Sequence, residues 1–583
     1  MDLKKKPFCL NDEQVLWVEE TYRKMDLDEK VGQLICAGVP ILSDEVIGHL
    51  TQNLKIGSLM FRPSPAEEVK TGIVKLQDSS EVPMLISANL EYGGCGVLAE
   101  GTYVSQQMGC AATQDEESAY WLGKISCQEA NAAGVTWGYA PVVDIDMSYQ
   151  NPISNIRTYG NDKDTVLSMA RAYIRGAKES GVIPTIKHFP GDGTDERDQH
   201  LLVSVNQLGY QEWMDTYGNI YQNLIEDGAL ALMVGHIAQP EVARALNPEI
   251  SDYEAYLPAS QSKTLLRTLL REKFNYNGLV VTDSSLMNGF MVRMPRRVAL
   301  PLTIEYGSDM ILFNRNIEED LQYLKEGYQN GILSEKRLEE AVKRVLALKA
   351  YLHLPEKKKE RTWFPDIDIK ELVHSEETKQ KVKEIADRAV TLVKDTKQIL
   401  PLSLEKTKRI YLNVIENRVN DQSEFSRRIK DLLEKEGFEV ELRKREMNIN
   451  PAEAYKEAPS EDFLRIMQEI TATTDTFVRK YDMCLLVLNM ETESNMTTCR
   501  ISWNVLAGLG NDFPWYAGEM PLVVISTANP YHLLDVPMAH AYINAYSNNT
   551  ETLEAIMDKI CGRSPFLGVS PIDPFCGHED CRV

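Results

Sequence analysis

Along the first part of the chain, short apolar or β-branched runs are followed by turn residues and then by longer stretches with helical spacing. The runs "QLICAG", "KIGSLMF", "MLISANLE", "TWGYAPVVDI", "VIPTIKHF", "LALMVGHI", "GLVVTDSS" and "DMILFN" read as eight strands. Between them, "SKTLLRTLLREKF" sets Leu265, Leu266, Leu269 and Leu270 on one helical stripe. Eight strands alternating with helices, over a length near the roughly 250 residues typical of the architecture, predict an α/β fold built on an N-terminal (β/α)8 TIM barrel. An open doubly wound sheet is the alternative. The helical pattern "SEKRLEEAVKRVLALKAYLHL" closes this part, and the charged, Pro-bounded "PEKKKERTWFPDIDIKE" reads as a linker. The expected organisation is a barrel over 1-353, a linker and connecting helix over 354-388, and a second α/β domain over 389-583. In that last part "IYLNVIE", "FEVELRK", "YDMCLLVLNM", "PLVVISTANP" and "AHAYINAYS" alternate again with polar or helical segments, and "MNINPAEAYKEAPSEDF" reads as a surface excursion.

The totals narrow the function class. A chain of 583 residues exceeds what one hydrophobic core supports, and its 43% hydrophobic and 26% charged residues describe a folded globular protein. A net charge of -23 repels phosphate backbones and anionic bilayers, so no nucleic-acid or membrane partner is expected. The N-terminal "MDLKKKPFCLND" has no apolar run behind it, and no stretch approaches the roughly 18 apolar residues of a membrane span. Ten cysteines, several of them inside apolar runs, fit a reducing cytoplasm better than a disulfide scaffold. The tail "CGHEDC" matches no specific zinc spacing, so no metal is expected there.

In a (β/α)8 barrel the working groups gather at the C-terminal ends of the strands. The strand ends here carry Asn89 and Glu91, then Asp144, Asp146 and Arg157, then Lys187 and His188, His236 and Asp283. Asp283 follows a mostly apolar strand and is aimed at the barrel mouth, although Asp at this position also suits capping of the next helix. Asp198 and His200 are spaced i, i+2, which in extended backbone places carboxylate and imidazole on one side. The acid then orients the ring for proton transfer; solvated loop charge is the competing explanation. Arg157, Lys187 and His188 supply donors suited to sugar hydroxyls or an anion, or else form structural ion pairs. His236 and Glu91 serve as braces for their neighbours on the simpler account. His188, His200 and His236 leave a metallohydrolase barrel open as a rival.

The segment "KHFPGDGTDERDQH" resembles the K-H-F-P-G-x-G-x-x-x-x-D-x-H signature of glycoside hydrolase family 3, in its bacterial β-N-acetylglucosaminidase branch. "APVVDI", "NIRTYGND", "ALMVGHI", "PASQS" and "GLVVTDSSLM" follow in the family's order, and "RAVTLVKDTKQILPL" resembles the opening of its C-terminal α/β sandwich domain. The resemblance implies Asp283 as nucleophile, His200 with Asp198 as acid/base pair, and Asn89, Arg157, Lys187, His188 and His236 around the substrate. It implies a small carbohydrate substrate, no cofactor, and a retaining exo-acting β-glycosidase, with N-acetylglucosaminides first and β-glucosides or phosphate as acceptor next. A histidine acid is neutral after giving up its proton, so it repels an anionic acceptor less than a carboxylate does. Two departures stand out: Asn89 where the branch has an acid, and Asp192 where it commonly has His. Asn89 and its strand-three motif "NLEYGG" keep open a catalytically silent sugar-binding relative.

Overall fold

The computed structural model describes residues 1–417, 423–443, 451–491, 494–503, 505–506, 509–510 and 512–583. The chain forms two compact units, one comprising Met1–Ala111, Asp115–Lys381 and Glu493–Thr498, the other Ala112–Gln114, Val382–Thr492 and Cys499–Val583.

In the first unit, strands β1 (Ile35–Ala37), β2 (Ser58–Met60), β3 (Leu85–Ala88), β4 (Trp137–Gly138), β5 (Ile183–Phe189), β6 (Ala231–Val234), β7 (Leu279–Ser284) and β8 (Met310–Leu312) close into a parallel barrel in sequential order. The eight expected strands are all present. Each is covered by helices outside and packed side chains inside, which is why the runs are continuously apolar instead of alternating. The interior polar groups are paired: Trp137 Nε1–H donates to Thr185 Oγ1 at 2.7 Å, and the Cys36 thiol lies 3.2 Å from the Tyr139 hydroxyl. The 264–273 segment keeps its apolar stripe, with Leu265, Leu266, Leu269 and Leu270 buried, but it is wound with i→i+5 bonds instead of α-helical ones.

At the N-terminal end of β8, Asp309 takes charge-assisted bonds from three guanidinium groups: Arg271 at 2.6 Å, Arg337 at 2.5 Å and Arg344 at 3.4 Å. Its Oδ2 also accepts from the N–H of Val280 on β7 at 2.8 Å. One carboxylate thereby fastens the closing strands to the long helix Glu335–Tyr351, which Ser334 caps through the Arg337 N–H. The stretch expected as linker carries two short helices, Leu354–Glu360 and Ile369–Leu372, before Glu376–Ala389.

The second unit holds a six-stranded sheet of β9 (Thr391–Asp395), β10 (Arg409–Glu416), β11 (Glu439–Leu442), β12 (Met483–Asn489), β13 (Leu522–Ser526) and β14 (Ala541–Asn544), in the order β9-β14-β13-β12-β10-β11. Only β9 runs antiparallel to its neighbour. Central β12 is buried on both faces: Leu485 and Val487 enter one apolar cluster, Cys484, Leu486 and Leu488 the other. The unit is therefore mixed α/β, as expected. Of the anticipated surface excursion, residues 447–450 lie outside the described residues, and the rest carries a tight turn at Pro451–Tyr455 and a helix at Glu461–Thr471.

Candidate active site

The strand ends meet in a cavity of about 390 Å³ at the C-terminal mouth of the barrel. Asn89, Glu91, Arg157, Lys187, His188, His200 and Asp283 all line it, with Arg62, Phe313 and Asn495 among the others.

Glu91, three residues beyond β3, is the hub of one side. Its carboxylate accepts two bonds from Arg157, Nε to Oε2 and Nη2 to Oε1, each 2.9 Å, and one from Lys187 Nζ at 2.6 Å. Burial works against a charge here, but the two cations outweigh it and hold the Glu91 carboxyl well below the usual carboxylate range. For Lys187 burial prevails: it pulls the ammonium below its ordinary value against the support of Glu91. Arg157 enters from a one-turn helix, Asn155–Arg157, whose start is braced by Asp146 through the Ser154 hydroxyl and the Asn155 N–H. Asp146 thus supports the cavity without lining it.

Three imidazoles surround the end of β7, each held by its own partners. Burial of Asp283 opposes its charge, but His188, His236, His200 and the N–H of Ser284 together hold its carboxyl below the usual range. The closest ring atom is His188 Nε2, 3.9 Å from Asp283 Oδ2. The other side of that ring, Nδ1, lies 2.7 Å from Asp144 Oδ2 and donates to it, so Asp144 fixes the ring's tautomer. His236 is fully buried and its burial keeps it neutral. Its Nε2 faces the Ser284 carbonyl at 2.9 Å, which only accepts, so Nε2 carries the hydrogen and Nδ1 accepts from the Ser260 hydroxyl at 2.9 Å. His236 braces the strand end and does not line the cavity.

The loop after β5 is shaped by "PGDG". Gly191 and Gly193 have φ of +116° and +102°, and a Cβ on them would sit 2.1 Å from the Tyr217 ring and 2.0 Å from the Ile145 carbonyl oxygen. Between them Asp192 is buried, accepting from Asn151, Gln199 and Ser204. Burial and the neighbouring Asp144 push its carboxyl up. The loop then delivers Asp198 and His200. Their pairing does not come from extended backbone: residues 198–200 form a turn in which Asp198 Oδ1 accepts both the N–H of His200 at 2.8 Å and its Nδ1–H at 2.7 Å. This Asx turn locks the ring to the acid more firmly than an i, i+2 strand pairing would. Asp198 Oδ2 accepts the N–H of Asn495 at 2.6 Å, from a residue with φ of +69°.

Of the residues singled out in the sequence, Asn89, Glu91, Arg157, Lys187, His188, His200 and Asp283 reach the cavity wall, while Asp144, Asp146, Asp198 and His236 brace it from behind. Asn89 lines the cavity with an exposed side chain. Sequence reasoning missed Arg62, Ser260 and Asn495. Asn495 acts through its backbone N–H, which no residue type announces, and Arg62 follows a strand only as an ordinary loop cation. No set of three His, Cys, Asp or Glu side chains among the described residues is placed to hold a metal ion, and the second nitrogens of His188, His200 and His236 are each engaged by a carboxylate or hydroxyl.

Residues 26–348 match the glycosyl hydrolase family 3 N-terminal domain. Over its full length the chain is 36% identical to a protein named β-N-acetylglucosaminidase/β-glucosidase from Cellulomonas fimi, covering all of both chains. A solved structure of a β-glucoside phosphorylase, BglX, is 43% identical with a TM-score of 0.90, covering 100% of this chain and 99% of that one. A family 3 β-N-acetylglucosaminidase from Paenibacillus sp. str. FPU-7 shares the fold at 23% identity, TM-score 0.76, over 94% of this chain and 99% of that one. The chain belongs to glycosyl hydrolase family 3 and is a glycosidase.

Proposed function

We propose that the chain removes a terminal β-linked glucose or N-acetylglucosamine with retention of configuration, through a glycosyl-enzyme on Asp283. The observation that carries this reading is the ionised Asp283 carboxylate in the same 390 Å³ cavity as the His200 imidazole, whose Nδ1 is tied to Asp198. Asp283 attacks the anomeric carbon while His200 Nε2–H protonates the departing oxygen, and the acceptor then displaces Asp283 as His200 takes a proton back. Arg157, Lys187 and His188 orient the ring hydroxyls, with Glu91 and Asp144 holding those donors in place. Asn89 offers an uncharged amide to the outer hydroxyls, which suits a broad tolerance between glucosides and N-acetylglucosaminides. That breadth agrees with the double name carried by the Cellulomonas fimi relative.

The test compares p-nitrophenyl β-glucoside and p-nitrophenyl N-acetyl-β-glucosaminide. Wild-type protein is expected to turn over both, Asp283→Asn neither, and a 2-deoxy-2-fluoro glycoside to leave a mass adduct on Asp283. An active Asp283→Asn protein, or an adduct on another residue, refutes the assignment. His200→Ala should keep much of its rate on a 2,4-dinitrophenyl glycoside, which leaves unaided. It should lose roughly 10²–10⁴-fold on an alkyl glycoside, which needs the proton.

A second reading concerns the acceptor. The acid/base group is an imidazole, neutral after the first step, and the 43%-identical full-length neighbour is named a phosphorylase. Both favour inorganic phosphate over water, with a sugar 1-phosphate as product.

A further inference from the structure

Arg62, just beyond β2, lines the catalytic cavity with an exposed guanidinium. Among the described residues no carboxylate pairs with it; the guanidinium carbon lies 5.7 Å from the centre of the Phe313 ring, itself in the cavity wall beyond β8. The other two cations of the wall, Arg157 and Lys187, are both committed to Glu91. Once Asp283 is esterified and His200 has given its proton to the departing oxygen, Arg62, Arg157 and Lys187 face Glu91 alone on the wall. Asp144 and Asp198, behind the wall, spend their oxygens on the His188 and His200 rings and on backbone N–H groups. The wall is therefore cationic at the very step in which the acceptor enters. Water gains nothing from that excess, whereas a dianion does.

We propose that Arg62 is the anchor of an acceptor-anion subsite that takes inorganic phosphate, a residue that decides between phosphate and water. This rests on the phosphorolytic reading above. The planar guanidinium, steadied on Phe313, offers two parallel N–H groups to two phosphate oxygens. A third oxygen attacks the anomeric carbon: the C1–O bond to phosphate forms, the C1–O bond to Asp283 breaks with its electron pair returning to the carboxylate, and the remaining phosphate O–H proton passes to His200 Nε2. The product is a sugar 1-phosphate and the enzyme regains its starting protonation.

The experiment follows decay of the 2-deoxy-2-fluoroglucosyl adduct on Asp283 against inorganic phosphate concentration, for the wild type, Arg62→Leu and Arg62→Lys, with mass detection of fluoroglucose and its 1-phosphate. For the wild type, phosphate should accelerate release saturably and yield the 1-phosphate. Arg62→Leu should raise the half-saturating phosphate concentration at least tenfold and shift product toward fluoroglucose; Arg62→Lys should fall between them. Formation of the adduct, which needs no acceptor, reports that each variant is folded. If phosphate does not accelerate wild-type release, the phosphorolytic reading fails and this subsite with it. Should the wild type respond while Arg62→Leu responds at the same concentration, only the role of Arg62 is overturned. Loss of adduct formation in both variants assigns Arg62 to the donor sugar and equally overturns it.

Discussion

Replacing Glu91 by Gln tests whether the donor-binding cations depend on one buried carboxylate. The change is isosteric, yet it turns an acceptor of three bonds, 2.9, 2.9 and 2.6 Å long, into an amide with one acceptor oxygen and an NH2 facing cationic donors. With its oxygen where Arg157 Nη2 and Lys187 Nζ meet, the amide loses the Arg157 Nε bond, worth about 1.5–3 kcal/mol, and leaves two cations without an anion, for a gross loss of roughly 3 kcal/mol or more. That loss is in line with the roughly 3–5 kcal/mol seen when one partner of a buried pair is removed. The protein has a cheaper escape than unfolding. Lys187 is only 2% exposed and its ammonium already sits below its usual range with Glu91 present, so without Glu91 it sheds its proton more readily still. The expected result is a modest fall in Tm with a fall of about 10²–10³ in kcat/KM at neutral pH, equivalent to about 3–4 kcal/mol. The variant's activity relative to wild type should recover as pH falls and Lys187 takes its proton back. Kinetics on an aryl glycoside across pH, with thermal unfolding in parallel, read both effects. A variant within threefold of wild type at every pH would refute the account of Glu91 as the group that keeps Lys187 charged.

Two further outcomes follow from buried charge elsewhere in the barrel. Asp309→Asn leaves three guanidinium groups around a neutral amide and should cost about 3–5 kcal/mol, read as a lower urea midpoint for the barrel unit, with adduct formation on Asp283 retained at temperatures where the unit is folded. Glu129, whose carboxylate accepts the N–H and hydroxyl of Thr102, is pushed up to about 7 by burial. A carboxyl raised in the folded state binds its proton there over pH values where the unfolded chain has lost it. Its stabilising contribution is therefore whole below the unfolded value of 4.5 and declines as pH rises through about 7, by on the order of 3 kcal/mol. Glu129→Gln should flatten that slope in urea titrations between pH 4.5 and 7.5, and an unchanged slope would place the titrating group elsewhere.

The barrel was legible because every strand is buried on both faces, so apolar runs such as "GLVVTD" and "VIPTIKHF" stand out against polar helices. The site was legible to the extent that its groups are side chains at strand ends. Asp283, Lys187 and His188 stand at strand ends on the cavity wall, as the strand-end rule assigns, and Glu91, read as a brace, braces Arg157 and Lys187. The Asp198 and His200 pairing was read correctly from spacing for an incorrect reason, since i, i+2 proximity serves an Asx turn as well as a strand. Asn495 was beyond reach: it lies about 300 residues from Asp198 and contributes only its N–H, so neither periodicity nor residue type marks it. The i→i+5 winding of 264–273 was equally hidden, because both windings bury the same four leucines.

The division of labour among the three imidazoles follows from what each ring's far nitrogen faces. His236 is closed at both ends by Ser260 and the Ser284 carbonyl, and its burial keeps it neutral, so it has no proton to give toward Asp283. His188 and His200 carry the same device, Nδ1 tied at 2.7 Å to a carboxylate, which leaves Nε2 as the working atom in both. They differ in access. The His188 side chain is 5% exposed and its Nε2 sits 3.9 Å from Asp283, where it supports the ionised carboxylate; the His200 side chain is 25% exposed. Only the second can exchange its proton with solvent and with an incoming acceptor between turnovers. On the proposed mechanism the acid is recharged once per cycle, which suits a group at the rim, and the turn at residues 198–200, held by the Asn495 N–H, is what places His200 there.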